Sequence, residues 1–211
     1  MKKRLLFILT VFFCWLPILA IQKPVFILYH HALANGCSLT DYLKVITHGL
    51  LLDCTVSGYL TAIPLLCILI SIWLPGAFYQ KFLKGYFGVA ALLIAAIFAV
   101  DVALYGYWGF RLIYAYGIFW IFKRFIIPLF PATPVRSRLG GTMIVLLLGG
   151  ILFIPIRGGV TTSTANVGMV YFSKNQFLNH SAINPAFSLL ASLSKQQDFA
   201  AQFNFFPEEE R

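Results

Sequence analysis

The chain has 211 residues, of which 60% are hydrophobic and 11% are charged, and its formal net charge is +9. A soluble domain carries about 25% charged residues, so the composition excludes an ordinary water-soluble protein and predicts a chain solvated by lipid. The basic residues lie in short runs between apolar stretches, a pattern that excludes nucleic acid as a partner and indicates membrane lipids. We therefore expect an all-α membrane protein.

The first apolar run covers residues 5–21 and follows the basic sequence of residues 1–4. This pattern fits either a signal peptide or a first membrane helix. The run is long for a signal peptide and no small-x-small cleavage site closes it, so a retained helix is favoured. The sequence Gln22-Lys23-Pro24 is expected to end or kink this helix, and residues 30–48 are predicted to form a polar loop.

Three further spans are predicted at residues 51–74, 86–105 and 139–156, with Pro64 as a tolerated kink in the first of them. A fourth segment is short, since only 11 residues separate Arg111 from Lys123. As a helix these residues extend about 16 Å, against a hydrocarbon core of about 30 Å. We expect this segment to borrow length from residues 108–111 or from residues 125–129. The alternative is that it does not cross the membrane, in which case the fifth span must invert or stay uninserted.

The distribution of basic residues predicts the topology. Nine basic residues fall on one side of these five segments and four on the other, before the tail. The nine are Lys2, Lys3, Arg4, Lys81, Lys84, Lys123, Arg124, Arg136 and Arg138, and the four are Lys23, Lys44, Arg111 and Arg157. The positive-inside rule then predicts a multi-pass protein with a cytoplasmic N-terminus. Residues 1–157 form the transmembrane region and residues 158–211 an extracytoplasmic tail.

Two short elements are predicted in the tail. Residues 158–164, rich in Gly and Thr, are typical of a strand or linker. Asn184-Pro185 is typical of a helix start, with Asn as the cap and Pro in the first position. Phe187, Leu190 and Leu193 share one side of this helix, which is expected to lie along the membrane or against a partner domain.

The candidate site residues are Asp101 and Arg111, near the outer end of the third span. Ionisable groups at this depth are costly and tend to be paired or functional. Two interpretations stand: an outer-leaflet headgroup site in which Arg111 binds a lipid phosphate, or an Asp101–Arg111 ion pair that fixes the helical hairpin. Weaker candidates at similar depth are His30, His31, His48 and Asp53.

No phosphate-binding loop, metal-spaced cluster or nucleophile elbow is found, so catalytic, cofactor and metal residues are predicted to be absent. The chain has four cysteines. Cys37 and Cys54 either pair near the outer face or remain free, and two free, packed thiols are favoured.

Several segments together resemble the N-terminal membrane region of the lipoteichoic acid synthase family, sulfatase-like enzymes of the alkaline phosphatase superfamily. They are residues 105–111 (YGYWGFR), residues 155–159 (PIRGG), residues 171–180 (YFSKNQFLNH), and Asn184-Pro185 with Phe187 after it. The resemblance extends over almost the whole chain. It implies five membrane helices in a bacterial inner membrane, followed by an extracytoplasmic catalytic domain.

In this family the catalytic domain uses a Thr nucleophile and a divalent metal, often manganese, to transfer phosphoglycerol or a related group. The sequence stops at residues 207–211, where that domain would begin, and no residue matches its nucleophile or metal ligands. The short fourth segment is interpreted as an internal deletion relative to the family. The resemblance therefore implies a membrane anchor that is non-catalytic alone. The alternative is a stand-alone membrane scaffold or subunit that acts by binding partners.

Overall fold

The computed structural model describes residues 1–34, 36–103, 111–131, 137–160 and 163–194, without the side chains of residues 103 and 111–115. All regular structure in these ranges is helical. Eight α-helices are described, together with a π-helix and two short 3-10 turns. In chain order the α-helices are α1 (Lys2–Ala20), α2 (Gln22–Tyr29), α3 (Leu39–Trp73), α4 (Phe78–Ala103), α5 (Arg111–Ile121), α6 (Arg138–Arg157), α7 (Gln176–Ala182) and α8 (Pro185–Ser194).

Four helical runs in the described ranges are long and apolar enough to cross a membrane, as the composition predicts. The first is α1 together with α2, a run of 28 residues, Lys2–Tyr29. Ile21 at the junction keeps right-handed helical dihedral angles, so the helix does not end at the sequence Gln22-Lys23-Pro24, where an end or a kink is predicted, but continues to Tyr29. The other three runs are Leu39–Trp73, Phe78–Val102 and Arg138–Arg157.

The fourth segment contains an α-helix of 11 residues, the length expected from its flanking charges. Its backbone does not stop there, because a π-helix (Phe122–Ile126) and a 3-10 turn (Ile127–Leu129) follow without a break. The whole helical run, residues 111–129, has a length of about 28 Å at the α-helical rise. The segment thus takes its additional length from residues 122–129, which include the predicted 125–129.

Successive long helices run in alternating directions. Arg4, near the start of α1, donates a hydrogen bond to Ser71, near the end of α3. Trp73 donates to Thr142 near the start of α6. Phe122, after α5, stacks on Phe87 of α4 with ring centroids 4.2 Å apart. We call the end with the N-terminus the basic end, defined by Lys2, Lys3, Lys81, Lys84 and Arg138, and the opposite end the cap end, defined by Lys23, Asp53 and Arg157.

The central helix is α3, which packs against α1 and α6 along its length. The close approach of α6 is made possible by Gly58, since a Cβ there would lie 2.6 Å from Ile156 Cγ1. Small residues at such contacts are typical of helix pairs in membranes. The Thr55 hydroxyl donates to the Pro155 carbonyl across the same interface, at 2.9 Å. The Pro155 carbonyl lies in the last turn of α6, so this hydrogen bond joins the end of α6 to α3.

Helix α3 is longer than predicted at its first end, so the expected loop at residues 30–48 is wrong for residues 39–48, whereas residues 30–34 and 36–38 are non-helical as predicted. It begins at Leu39 because Ser38 and Asp41 form a capping box: the Ser38 hydroxyl accepts from the Asp41 N–H, and the Asp41 carboxylate accepts from the Ser38 N–H. The helix has 35 residues, or about 52 Å, which exceeds a hydrocarbon core by about 20 Å. Its first turns therefore provide a helical platform at the cap end.

The tail folds back onto this platform. Gly158 and Gly159 both have positive φ, +94° and +124°, a conformation that glycine adopts without steric cost. Gly158 ends α6, and the Ala165 N–H then donates to the Arg157 carbonyl at 2.7 Å as the chain reverses. Residues 163–194, which we call the cap, pack on α2, α3 and α4. Thr161 and Thr162 of the predicted strand or linker lie outside the described residues, and residues 163–166 form no strand.

Helix α8 begins as predicted from Asn184-Pro185, and the Asn184 side-chain oxygen accepts from the Phe187 N–H at 3.1 Å. Of its three apolar residues on one side, Phe187 is buried whereas Leu190 and Leu193 are exposed. The helix packs against α3 and α4. Its first turn therefore belongs to the protein core, and its last turn presents leucines outward.

Candidate functional site

A buried ion pair joins the first and second membrane runs at the cap end. The Lys23 ammonium lies 2.7 Å from Asp53 Oδ1 and 2.6 Å from Oδ2. Their side chains are only 2% and 0% exposed. Burying either charge alone is strongly unfavourable, so each side chain requires the other. The pair thereby fixes α2 against α3.

Asn184 of the cap joins the same cluster. Its side-chain amide donates to Asp53 Oδ1 at 2.8 Å, while its oxygen caps α8. The side chain is fully buried, and both of its ends are hydrogen-bonded. Lys23, Asp53 and Asn184, which we call the latch, thus connect three segments that are far apart in the sequence.

Gly49, one turn before Asp53 on α3, makes room for the latch. A Cβ at this position would overlap the Lys23 Cε atom and lie 2.6 Å from the Ala182 carbonyl oxygen. The position is buried between the Lys23 stem and the backbone of the cap. Glycine is therefore required here by close approach and not by its backbone conformation.

A cavity of about 280 Å³ lies beside the latch, between the ends of α2 and α4 and the cap. Its polar lining includes Asp101, His180, Ser188 and His30, and its apolar lining includes Phe26 and Phe177. A smaller recess next to it reaches Gln22 and Lys23 and shares Asp101 and His180. Asp101, a predicted site residue, therefore lies in the wall of a cavity.

The two predicted headgroup contacts have different outcomes. Asp101 is half-buried in the last turn of α4 and interacts electrostatically with His180 of the cap. Arg111 begins α5, and its side chain lies outside the described residues. The headgroup site and the Asp101–Arg111 pair consequently both stay predictions.

Two of the four weaker candidates lie at the latch or the cavity, and the other two are exposed. Asp53 belongs to the latch, and His30 lines the cavity. Burial lowers the pKa of His30, which follows the first membrane run, and so favours its neutral form. His31 and His48 are exposed, and His48 stacks on Phe172 of the cap with centroids 4.6 Å apart.

The four thiols are free, as favoured from the sequence. Cys37 lies 3.8 Å from the Asn175 side-chain nitrogen, whereas Cys54 follows Asp53 on α3. Within the part of the chain that the structure describes, no three His, Cys, Asp or Glu side chains converge as metal ligands do.

The latch is the feature that sequence reasoning misses. From the sequence, Lys23 is assigned only to the outer side of the first helix, and Asn184 only to a helix cap. The available signal is a lysine at the end of one apolar segment and an aspartate inside the next, since ionisable groups in such positions tend to pair. Comparisons with protein families, curated proteins and solved structures found no match for this chain.

Proposed function

We propose that the chain is the membrane-anchoring region of a sulfatase-like transferase, similar to lipoteichoic acid synthases, that acts on lipid or glycan headgroups at the outer face of the bacterial inner membrane. The observation that carries the proposal is the latch. It fixes the cap to the membrane helices, so that the polypeptide leaving α8 has a set position above the bundle. An enzyme domain acting on headgroups needs this kind of positioning.

The proposed topology has five crossings, with the run from Arg111 to Leu129 as the fourth. The alternating helix directions support it, and so does the excess of basic residues at the basic end. We place the basic end in the cytoplasm and the cap in the extracytoplasmic space. The run approaches the thickness of the hydrocarbon core, and its exposed Lys123 and Arg124 can extend toward the headgroups.

The chemistry is assigned to a catalytic domain outside this sequence. By resemblance, that domain uses a Thr nucleophile and a divalent metal, with manganese as the expected ion. The present chain contributes attachment and position, and membrane lipids are its immediate partners.

The proposal is tested in membranes of the source organism with an antibody raised against the cap. We expect the captured protein to bring down a sulfatase-like domain, covalently attached or as a partner. We also expect that deleting the gene removes a manganese-dependent transfer of labelled headgroups. A Lys23→Met variant should reduce this transfer, and Lys44→Met, which removes an exposed lysine of the same end, should leave it unchanged.

The opposite result is equally informative. Capture of the 211-residue chain with no sulfatase-like domain, together with unchanged headgroup transfer in the deletion strain, would refute the proposal. The chain would then be a stand-alone membrane scaffold that acts by binding partners.

A further inference from the structure

The cavity beside the latch differs in charge from the rest of the molecule. The chain carries a net charge of +9, yet Asp101 is the one acidic residue among the described residues that line the cavity. Lys23, which lines the adjoining recess, is held by both oxygens of Asp53. Since that lysine is already neutralised, it does not compensate the Asp101 carboxylate, whose electrostatic partner is His180 of the cap. His30 adds no charge near neutral pH, because its burial favours the neutral ring.

The arrangement of polar atoms indicates the kind of ligand. Among the described residues, the Asp101 carboxylate accepts no hydrogen bond, and its electrostatic partner His180 lies in the same cavity wall. His180 and Ser188 line the same cavity, and an imidazole nitrogen and a hydroxyl oxygen can both accept hydrogen bonds. Three acceptors in one cavity match the three N–H donors of a primary ammonium group.

The apolar wall fits the same ligand. Phe26 and Phe177 stack with ring centroids 6.1 Å apart, and both line the cavity. Aromatic rings attract cations, and a carboxylate beside them adds direct charge attraction. An anion such as a phosphate monoester finds no such complementarity, because the described lining residues include no lysine or arginine except Lys23 in the smaller recess.

From these observations we propose that the cavity binds a primary ammonium group, with Asp101, His180 and Ser188 as its acceptors. The ligand class is an ethanolamine-type headgroup, supplied by an outer-leaflet lipid or by a soluble phosphorylated amine. This inference deepens the proposed function and rests on it for the placement of the cavity at the outer leaflet. Binding itself is measured on the isolated chain, so its failure is distinguishable from failure of headgroup transfer.

The test is native mass spectrometry of the purified 211-residue chain in mild detergent with short-chain lipids at equal concentration. Phosphatidylethanolamine should bind about tenfold or more tightly than phosphatidylglycerol, which lacks the amine, and than phosphatidylcholine, whose trimethylated nitrogen has no N–H. Free O-phosphoethanolamine forms a separate arm. Competition by it at similar concentration assigns the site to a soluble amine, and weak competition assigns it to the lipid.

Variants link the binding to the cavity. Asp101→Asn should lower the affinity for the amine ligand about tenfold or more, and Ser188→Leu, which fills the cavity, should do the same. Asp41→Asn is the matched control, because it removes a carboxylate at the same end but outside the cavity. Thermal unfolding of each variant checks that it is folded.

Equal affinity for the three lipids, or an Asp101→Asn variant that is folded and binds like the original chain, would overturn the proposal. If Asp101→Asn does not fold, the Ser188→Leu variant decides. Unchanged ethanolamine-lipid binding in that variant would place the lipid elsewhere on the protein.

Discussion

Replacing Lys23 with methionine tests the latch most directly. Methionine has a similar length and no charge, so the Asp53 carboxylate would remain buried with one amide donor, Asn184, as its partner. Removing one member of a buried ion pair costs about 3–5 kcal/mol. For a chain of this length, 1 kcal/mol corresponds to about 2–4 °C in Tm, so Tm should fall by about 6–20 °C.

The measurement is thermal unfolding of the purified protein in detergent, followed by loss of the monodisperse peak in size-exclusion chromatography. Lys44→Met is the control, because that lysine is exposed on the same end of α3 and should change stability by less than about 0.5 kcal/mol.

A double variant, Lys23→Met with Asp53→Asn, removes both charges and leaves a neutral amide at position 53, whose oxygen can still accept from Asn184. Its cost should shrink to that of one unsatisfied amide, about 1–3 kcal/mol. The ion-pair explanation fails if Lys23→Met loses less than about 1 kcal/mol, or if the double variant is no more stable than the single one.

Three further predictions concern other features. Gly49→Ala should destabilise the protein by about 1–3 kcal/mol in the same assay, because the added Cβ meets Lys23 and the cap. The control Gly85→Ala, with open space around it, should be neutral or stabilising. Equal effects of the two substitutions would contradict the close approach at Gly49. Burial lowers the pKa of His30 below its ordinary 6.5, so the stability that this residue contributes is complete above about pH 6.5 and is lost as the pH falls through the folded-state pKa. The stability of a His30→Gln variant should therefore depend less on pH between about 7.5 and about 5. An unchanged pH dependence in that variant would exclude His30 as its origin. A periplasm-specific reporter fused after Arg211 should be active, and activity of a cytoplasm-specific reporter there would refute the five-crossing topology.

The apolar segments themselves can be predicted well. Helix α6, Arg138–Arg157, begins and ends within one residue of the predicted 139–156, because its limits are set by arginines at both ends and by Gly158. Helix α8 is predicted from Asn184-Pro185 alone. Both cases rest on local chemistry, in which a cap or a charge marks the boundary.

The features that escape prediction depend on contacts across the chain or on competing local signals. Residues 39–48 are polar enough to resemble a loop, and the capping box at Ser38 is the signal that a helix already begins there. The latch joins Lys23 to Asp53, 30 residues away, and Asp53 to Asn184, 131 residues away. Nothing in the periodicity of either segment specifies which partner it meets, since burial of both charges arises only when the helices pack.

The order of the latch residues along the chain sets an order of assembly during synthesis. Lys23 and Asp53 belong to the first two membrane runs, so they can meet as soon as that helical hairpin leaves the ribosome. Asn184 is 131 residues further on than Asp53, which at about 5–20 residues per second corresponds to a delay of about 7–26 s. During this interval the Lys23–Asp53 pair still lacks the hydrogen bond that the Asn184 side-chain amide donates to Asp53. Helix α8, the last helix that the structure describes, thus completes a contact that the first two membrane runs have already made.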